Sequence, residues 1–312
     1  MKYYHWVAVF SLSVFCFCSE VSYGQTLIAS RHQSVKIKLA DAVLNVHFNP
    51  GNFDMPKHQI LNWVSRSAEA VTAYYGRFPM KTIDIYILSV TGRGIQEGKA
   101  FGYGKPYIRI KLGAKSDWQM LVRDWVMVHE MIHLAFPKLD NRHDWLTEGL
   151  AVYVESIARY QAGHLSEESA WGSLFKGMPN GLPRYGDKGL DYTPTWGRRY
   201  WGGAMFCMVA DLEIRRRTNG KKGLQHALRG ILQAGGNYSD FWNITKALML
   251  ADKATGTTVL MDMYRDWRAK PVDPNLPVLW KRLGVDVKGR RAFIDNKAEL
   301  ADVRRMIGKK MP

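Results

Sequence analysis

His129-Glu130-Met131-Ile132-His133 is the stretch of this 312-residue sequence that decides its fold and its chemistry. Residues four apart on a helix lie on the same face, so both imidazoles can reach one metal ion from one side. Glu130 lies beside that face, where its carboxylate can touch a water on the ion. The motif therefore predicts a helix with two zinc ligands, His129 and His133, and a general base, Glu130.

A third ligand is needed, because catalytic zinc has three protein ligands and an open fourth position. Trp145-Leu146-Thr147-Glu148-Gly149-Leu150-Ala151 opens the next predicted helix, and the residues 134–147 are enough for a turn between the two helices. A carboxylate among apolar neighbours is costly to bury without a cation or a metal. We therefore prefer Glu148, and we expect the acids of the connecting turn to act as caps. The rival ligands are Asp140, His143 and Asp144.

The first third of the chain has the patterns of β-strands. Strands are expected at 34–39, 42–48, 82–90 and 107–112, with a helix at 58–75 and a glycine-bearing loop at 91–105. The strand at 107–112 is expected to have an exposed edge that pairs with an extended peptide, or else to be an ordinary sheet strand. We predict a β-rich N-terminal lobe over 25–115, with this edge strand.

The rest of the chain has the periodicity of helices. Ser116 and Gln119 form a predicted capping box for a helix that carries the histidines and stops at Pro137. Further helices are expected at 144–161, 166–176, 199–217, 223–233, 240–250 and 257–267. The predicted fold class is α+β, with a mainly helical catalytic lobe over 116–312.

The N-terminal residues have the pattern of a signal peptide. Lys2 precedes an uncharged stretch at 6–18, which is too short to span a bilayer, and Ser22-Tyr23-Gly24 fits cleavage after Gly24. An uncleaved anchor is the alternative. We expect an exported chain, periplasmic or extracellular, with no transmembrane segment after residue 25. Cys207 is the only cysteine outside the signal, so no internal disulfide is expected.

The formal net charge of +16 favours acidic partners. The basic residues are scattered, and neither a zinc-finger spacing nor an RNA-binding motif accompanies them. We expect no nucleic-acid partner. The basic surface is interpreted as solvated, or as a contact with anionic components of the cell envelope.

The two motifs together resemble the gluzincin metallopeptidases, a group of zincins. In those enzymes the glutamate of the second motif is the third zinc ligand, which corresponds to Glu148. Tyr200-Trp201-Gly202-Gly203-Ala204 is similar to the Tyr-x-Lys-Gly-Ala segment of the aminopeptidase N and glycyl aminopeptidase families, with Gly202 in place of lysine. The resemblance implies a zincin-type catalytic lobe, and a Tyr200 that stabilises the tetrahedral intermediate.

The resemblance is less complete in the motif that would bind the substrate's α-amine. The aminopeptidase N families bind the free α-amine through a glutamate in a glycine-bearing motif, and Gly94-Ile95-Gln96-Glu97-Gly98 keeps only the glycine and the glutamate. Glu97 is therefore a candidate amine anchor. Glu155, seven residues after Glu148, is a candidate partner that orients a ligand histidine, or else a member of a salt bridge.

The sequence thus predicts a hydrolase with one Zn²⁺ ion that cleaves peptide bonds of a peptide or protein substrate, with aminopeptidase and endopeptidase as the two candidate subtypes. Two alternatives remain open. One is a catalytically idle, metal-stabilised protein that binds the envelope, and the other is a hydrolase of non-peptide amides.

Overall fold

A mixed five-stranded sheet forms in the first third of the computed structural model, which describes residues 33–49, 51–102 and 104–311. The sheet order is β1-β2-β3-β5-β4, where β2, β3 and β5 run parallel and the two outer strands run antiparallel to their neighbours. The predicted signal peptide lies outside the described residues. The strands are β1 (Gln33–Lys38), β2 (Val43–Phe48), β3 (Thr82–Val90), β4 (Ile95–Phe101) and β5 (Tyr107–Gly113).

One face of this sheet forms part of the apolar core. Strands that are buried on one face alternate apolar and polar residues, and β2, β3 and β5 do so. Their inward side chains share one buried cluster with the apolar face of the helix α1 (Lys57–Tyr75), which crosses from β2 to β3. These side chains are Leu44, Val46, Phe48, Ile83, Ile85, Ile87, Ile108, Ile110 and Leu112.

Strand β4 corrects two predictions. It lies where a loop was expected at 91–105, and it pairs antiparallel with β5 along the length of that strand. The predicted edge at 107–112 is wrong, because β5 has β3 on one side and β4 on the other, so that β4 is the outer strand at this end of the sheet. The glycines of β4 and its flanks interrupt the alternation that would have revealed a strand.

The remainder of the described chain is mainly helical. A five-residue π-turn (Arg198–Gly202) precedes α6, and β6 and β7 form a two-stranded hairpin. The elements are α2 (Trp118–Arg123), α3 (Val126–His133), α4 (Asp144–Gln161), α5 (Glu167–Gly177), α6 (Gly203–Arg217), α7 (Leu224–Gln233), α8 (Ile244–Thr255), α9 (Val259–Trp267), α10 (Leu276–Leu283), β6 (Val285–Lys288), β7 (Arg291–Ile294) and α11 (Ala301–Gly308).

The helix predicted from residue 116 onward is divided in two. Asp117, rather than Ser116, caps α2 by accepting the backbone N–H of Met120 at 3.0 Å. Asp124 then adopts an extended conformation, and its carboxylate accepts the N–H groups of Val126 and Met127, which starts α3. The break sets the direction of α3 independently of α2.

The α+β fold class is confirmed, with a small N-terminal sheet and a mainly helical remainder. The change from strand to helix falls between Gly113 and Trp118, but the division into two lobes at 115 stays a prediction. Of the helices in the described ranges, none has the length and apolar character needed to cross a bilayer.

Candidate metal centre

His129 and His133 face the same side of α3 in the interior of the protein. Both side chains are buried, at 3% and 8% exposure of the residue. The helix ends at His133, since Leu134 begins a tighter turn and Pro137 follows shortly after. The sequence motif thus forms the last turns of a short, almost completely buried helix.

Glu148 comes from α4, which starts at Asp144 as expected from the sequence. Its Oε2 atom lies 3.2 Å from Nε2 of His129 and 3.6 Å from Nε2 of His133. Ligand atoms on a tetrahedral zinc with bonds of about 2.0 Å are about 3.3 Å apart. Two imidazole nitrogens and a carboxylate oxygen at these distances fit a zinc ion.

The electrostatics of the three side chains also favour a cation. Burial opposes ionisation of Glu148, but hydrogen bonds and charges from His129 and His133 outweigh it and hold the pKa of Glu148 well below its usual range. Burial would lower the pKa of His133, yet the hydrogen bond and the charge of Glu148 raise it. A metal ion would replace the protons that these groups share.

The three rival ligands have other partners. Asp140 accepts the backbone N–H of Arg142, and Asp144 pairs with Arg199 at 2.8 Å. His143 pairs through Nδ1 with Asp191 at 3.0 Å. Within the described residues, the one group of three or more potential ligands close enough to share an ion is His129, His133 and Glu148.

Glu130 is held in place by the edge strand. Its Oε2 atom accepts the backbone N–H of Ala100 in β4 at 2.7 Å. This N–H therefore points away from β5 and toward the metal ligands. Sequence reasoning missed the contact because the strand was not recognised.

Tyr200 reaches the centre from the π-turn before α6. The N–H of Gly203 bonds to the carbonyl of Arg198 five residues back, which is the π-type pattern often found at functional sites. The Tyr200 ring stacks on His129 with 6.3 Å between the ring centroids. Burial, and next the negative charge of Glu148, raise the pKa of Tyr200 to about 12.

A second tyrosine, Tyr238, lies on the other side of the centre. Its ring is stacked on His133 at 6.0 Å between centroids. Burial and the charges of Glu130 and Glu148 raise the pKa of Tyr238 to about 12. Sequence reasoning missed this residue, and the loop between α7 and α8 contains no local pattern that would have indicated it.

Glu97 is not brought to the metal ligands. It belongs to β4, and its neighbour Gly98 faces Glu130, so Glu97 points to the opposite face of the sheet. There its carboxylate pairs with Arg109 at 2.7 Å and with Lys111 at 2.6 Å. These two pairs lower the pKa of Glu97.

Glu155 forms a salt bridge rather than a contact with a ligand histidine. Its carboxylate pairs with Arg159 at 2.5 Å and accepts the hydroxyl of Ser156 at 3.0 Å. Nδ1 of His129, which such a partner would have held, is buried without a hydrogen-bond partner in the part of the chain that the structure describes.

Comparison with known proteins gives likeness at the level of the fold. No family model and no curated protein matches the chain. An aminopeptidase N family protein from Idiomarina loihiensis superimposes with a TM-score of 0.63 and 14% identity, over 83% of this chain and 50% of that protein. An M1 zinc metallopeptidase from Deinococcus radiodurans, bound to a Tyr-Ser-Ala substrate, superimposes with a TM-score of 0.52 and 17% sequence identity. The match covers 79% of this chain and 54% of that protein.

The chain therefore has a gluzincin-like fold, as the motif resemblance implied. It spans about half the length of these two proteins. At such identities the likeness extends to the fold alone.

Proposed function

We propose that this chain is a zinc-dependent peptidase whose ion is held by His129, His133 and Glu148. The observation that carries the proposal is the convergence of two imidazoles and one carboxylate within bonding range of a single ion, beside a fixed carboxylate, Glu130. A purely structural zinc site has no need of the last group.

Bound zinc would lower the pKa of a water molecule toward about 7 and polarise the scissile carbonyl. Glu130 accepts a proton from the attacking water and passes it to the leaving amine. The hydrogen bond from Ala100 engages Oε2 of Glu130, so we assign the proton transfer to Oε1. Because the anchor is a backbone N–H of a sheet, the carboxylate keeps its orientation without reorganisation.

Tyr200 stabilises the negative charge that develops on the carbonyl oxygen. Its pKa of about 12 keeps the phenol protonated at neutral pH, so that the hydroxyl can donate a hydrogen bond. Loss of one such donor costs about 2.7–4 kcal/mol of transition-state stabilisation in other enzymes. Tyr238 has a pKa raised to the same value and lies on the His133 side.

The substrate binds in an extended form along β4. This strand is one of the two outer strands of the sheet, and its outward side, on which the N–H of Ala100 is bonded to Glu130, faces the metal ligands. Unpaired backbone groups of an edge strand can pair with an extended peptide. We therefore assign to residues 95–101 the pairing with an extended peptide that was expected of residues 107–112.

The experiment that tests this function combines a Glu130→Gln variant with a cleavage profile of a peptide library, read by mass spectrometry with and without chelator. We expect the variant to keep one zinc ion per chain and to lose at least about 100-fold in cleavage rate, since it lacks the general base. Chelator should abolish cleavage by the wild type. A variant that binds zinc and cleaves like the wild type would show that the water-activation mechanism is wrong, and a wild type that binds zinc but cleaves nothing would support the idle, metal-stabilised alternative.

The aminopeptidase subtype needs a separate test, because Glu97 is engaged by Arg109 and Lys111. Acetylation of a peptide's N-terminus removes the charged amine that an aminopeptidase recognises. Cleavage of the free peptide but not of its acetylated form would support an aminopeptidase. Equal cleavage of both forms would identify an endopeptidase.

We also propose that the chain is exported and acts in the periplasm or outside the cell. The support is the signal-like pattern over residues 1–24. The net charge of +16 supports a contact with anionic envelope components. Fractionation of cells that express the full chain, with N-terminal sequencing of the product, tests the cleavage after Gly24.

A further inference from the structure

A cavity of about 670 Å³ opens along α4, the helix that carries Glu148. Val152 and Ser156 line it, and they follow Glu148 by four and eight residues, so all three share one face of the helix. At 1.5 Å per residue, Val152 and Ser156 lie about 6 and 12 Å from Glu148 along the helix axis. The cavity therefore extends away from the metal ligand at the scale of one large amino-acid side chain.

Two aromatic residues join the cavity to the centre. Tyr200 lines the cavity and stacks on the imidazole of His129. Trp125 also lines it and meets the same imidazole edge-on, with 5.3 Å between the ring centroids. A substrate with its scissile bond over the metal ligands would thus have an adjacent side chain at the mouth of this cavity.

Three indole rings, those of Trp125, Trp196 and Trp201, form part of the cavity wall. Trp196, which is 62% exposed, stacks on Tyr200 with 6.0 Å between the ring centroids, and Trp125 is 49% exposed. Trp201 is fixed against Gly177, where an added Cβ would lie 1.9 Å from its ring. Flat aromatic side chains favour another aromatic ring, through offset-stacked or edge-to-face contacts.

The far end of the cavity is lined by two charged side chains that neutralise each other. Arg159 and Glu155 line it, are both buried at 6% exposure, and form an ion pair with each other. Arg159 also donates to the carbonyl of Val122 at 3.4 Å, so two of its five N–H donors have acceptors among the described residues. Such an end offers hydrogen bonds to a phenolic oxygen.

We propose that this cavity binds a large aromatic side chain of the peptide substrate, tyrosine or phenylalanine, next to the scissile bond. The proposal rests on the proposed peptidase function and gives it a substrate class. The volume lies within the roughly 300–1,000 Å³ of small-molecule sites, so a phenyl or phenol ring can enter without displacing the walls.

The catalytic test compares two peptide series that differ only in having tyrosine, phenylalanine or alanine on one side or the other of the cleaved bond. We expect kcat/KM to be at least about 10-fold higher for the aromatic residues on one of the two sides. Val152→Trp fills the cavity, and it should remove this preference by lowering kcat/KM for the aromatic peptides at least about 10-fold, toward the value for the alanine peptide. Leu165→Trp, from another wall, provides a second filling variant if the first one fails to fold.

The matched control is Val278→Trp, which adds the same indole at an exposed position of α10 that does not line the cavity. It should leave the preference unchanged. Zinc content and the melting temperature of each variant establish that it is folded. Equal kcat/KM for aromatic and alanine peptides in the wild type, or filling variants that keep the aromatic preference, would overturn the proposal.

A binding measurement separates this proposal from the peptidase function. Calorimetric titration of the zinc-loaded Glu130→Gln variant with the same peptides should give a Kd at least about 10-fold lower for the aromatic than for the alanine peptide. Addition of Val152→Trp should abolish the difference. If the wild type cleaves nothing but this difference is found, the cavity assignment stands and the peptidase function fails; if no difference is found, the cavity assignment fails.

Discussion

Gly98 lets β4 come close enough to hold Glu130. A Cβ at this position would lie 2.2 Å from Cγ1 of Val126 and 3.1 Å from Cγ of Glu130. Both contacts are with α3, the helix that carries the metal ligands. Two positions further along the strand, Ala100 donates its N–H to the Glu130 carboxylate. The orientation of the general base thus depends on a residue without a side chain.

We therefore expect Gly98→Ala to lower the cleavage rate by about 100-fold, because displacement of a catalytic group by about 1 Å can have this effect. Zinc content should be unchanged, since the three ligands come from α3 and α4. The measurements are the cleavage rate of one peptide and metal analysis of the purified variant.

Val126→Ala provides the control for this prediction. It removes Cγ1 of Val126, the atom nearest to the added methyl group, so the double variant should recover part of the lost rate. A single variant as active as the wild type, or a double variant with no recovery, would contradict the steric explanation.

At the scale of elements, the site depends on the backbone contact between α4 and α6. A Cβ on Gly149 would lie 2.2 Å from the carbonyl carbon of Gly203, and one on Gly203 would lie 1.8 Å from the carbonyl oxygen of Trp145. Gly149 follows the metal ligand Glu148 directly, and Gly203 follows the π-turn of Tyr200. This contact therefore sets the spacing between the ligand and the proposed oxyanion donor.

Gly203→Ala should push the two helices apart. We expect a loss of at least about 1–3 kcal/mol in the free energy of unfolding, the usual cost of overpacking, because backbone atoms cannot move aside as side chains do. Urea denaturation measures this loss, and the cleavage rate should fall as Tyr200 moves away from Glu148. Arg216→Ala, at a side chain that is 71% exposed on the same helix, should have neither effect. A Gly203→Ala variant with wild-type stability would contradict the close packing.

At the scale of the whole molecule, the metal centre joins separate parts of the fold. His129 and His133 belong to α3, Glu148 belongs to α4, and Glu130 of α3 is bonded to the sheet through β4. All of these elements contribute to one buried apolar cluster. An ion bound to the three ligands in the native state alone would therefore stabilise the molecule against global unfolding.

Removal of zinc should lower the stability of the protein by mass action. At a free zinc concentration 1,000 times the Kd, the ion adds about 4 kcal/mol to the free energy of unfolding. Thermal unfolding with chelator, and with increasing free zinc, should show a melting temperature that rises with zinc. Glu148→Ala lacks a ligand, and its melting temperature should barely respond. A wild type with the same melting temperature in chelator and in zinc would contradict the assignment of these three residues as a metal site.

The local parts of the site could be predicted from the sequence. Helical geometry puts residues four apart on one face, so the spacing of His129 and His133 was enough to bring them together. The start of α4 at Asp144, four residues before Glu148, was likewise predicted. The helix carrying the histidines was predicted with the wrong start, because Asp117 and Asp124 each cap a separate helix.

The sequence by itself determined the fold class and the identity of the residues that converge, because helical and strand periods are local properties of the backbone. Only the tertiary structure decided that β4 is an outer strand of the sheet, that Ala100 holds Glu130 and that Tyr238 stacks on His133. These contacts join residues 30 and 105 positions apart along the chain (100 to 130, and 133 to 238), so packing rather than local propensity fixes them. The cavity along α4 is likewise fixed by packing, because its walls come from segments that meet only when the helices pack.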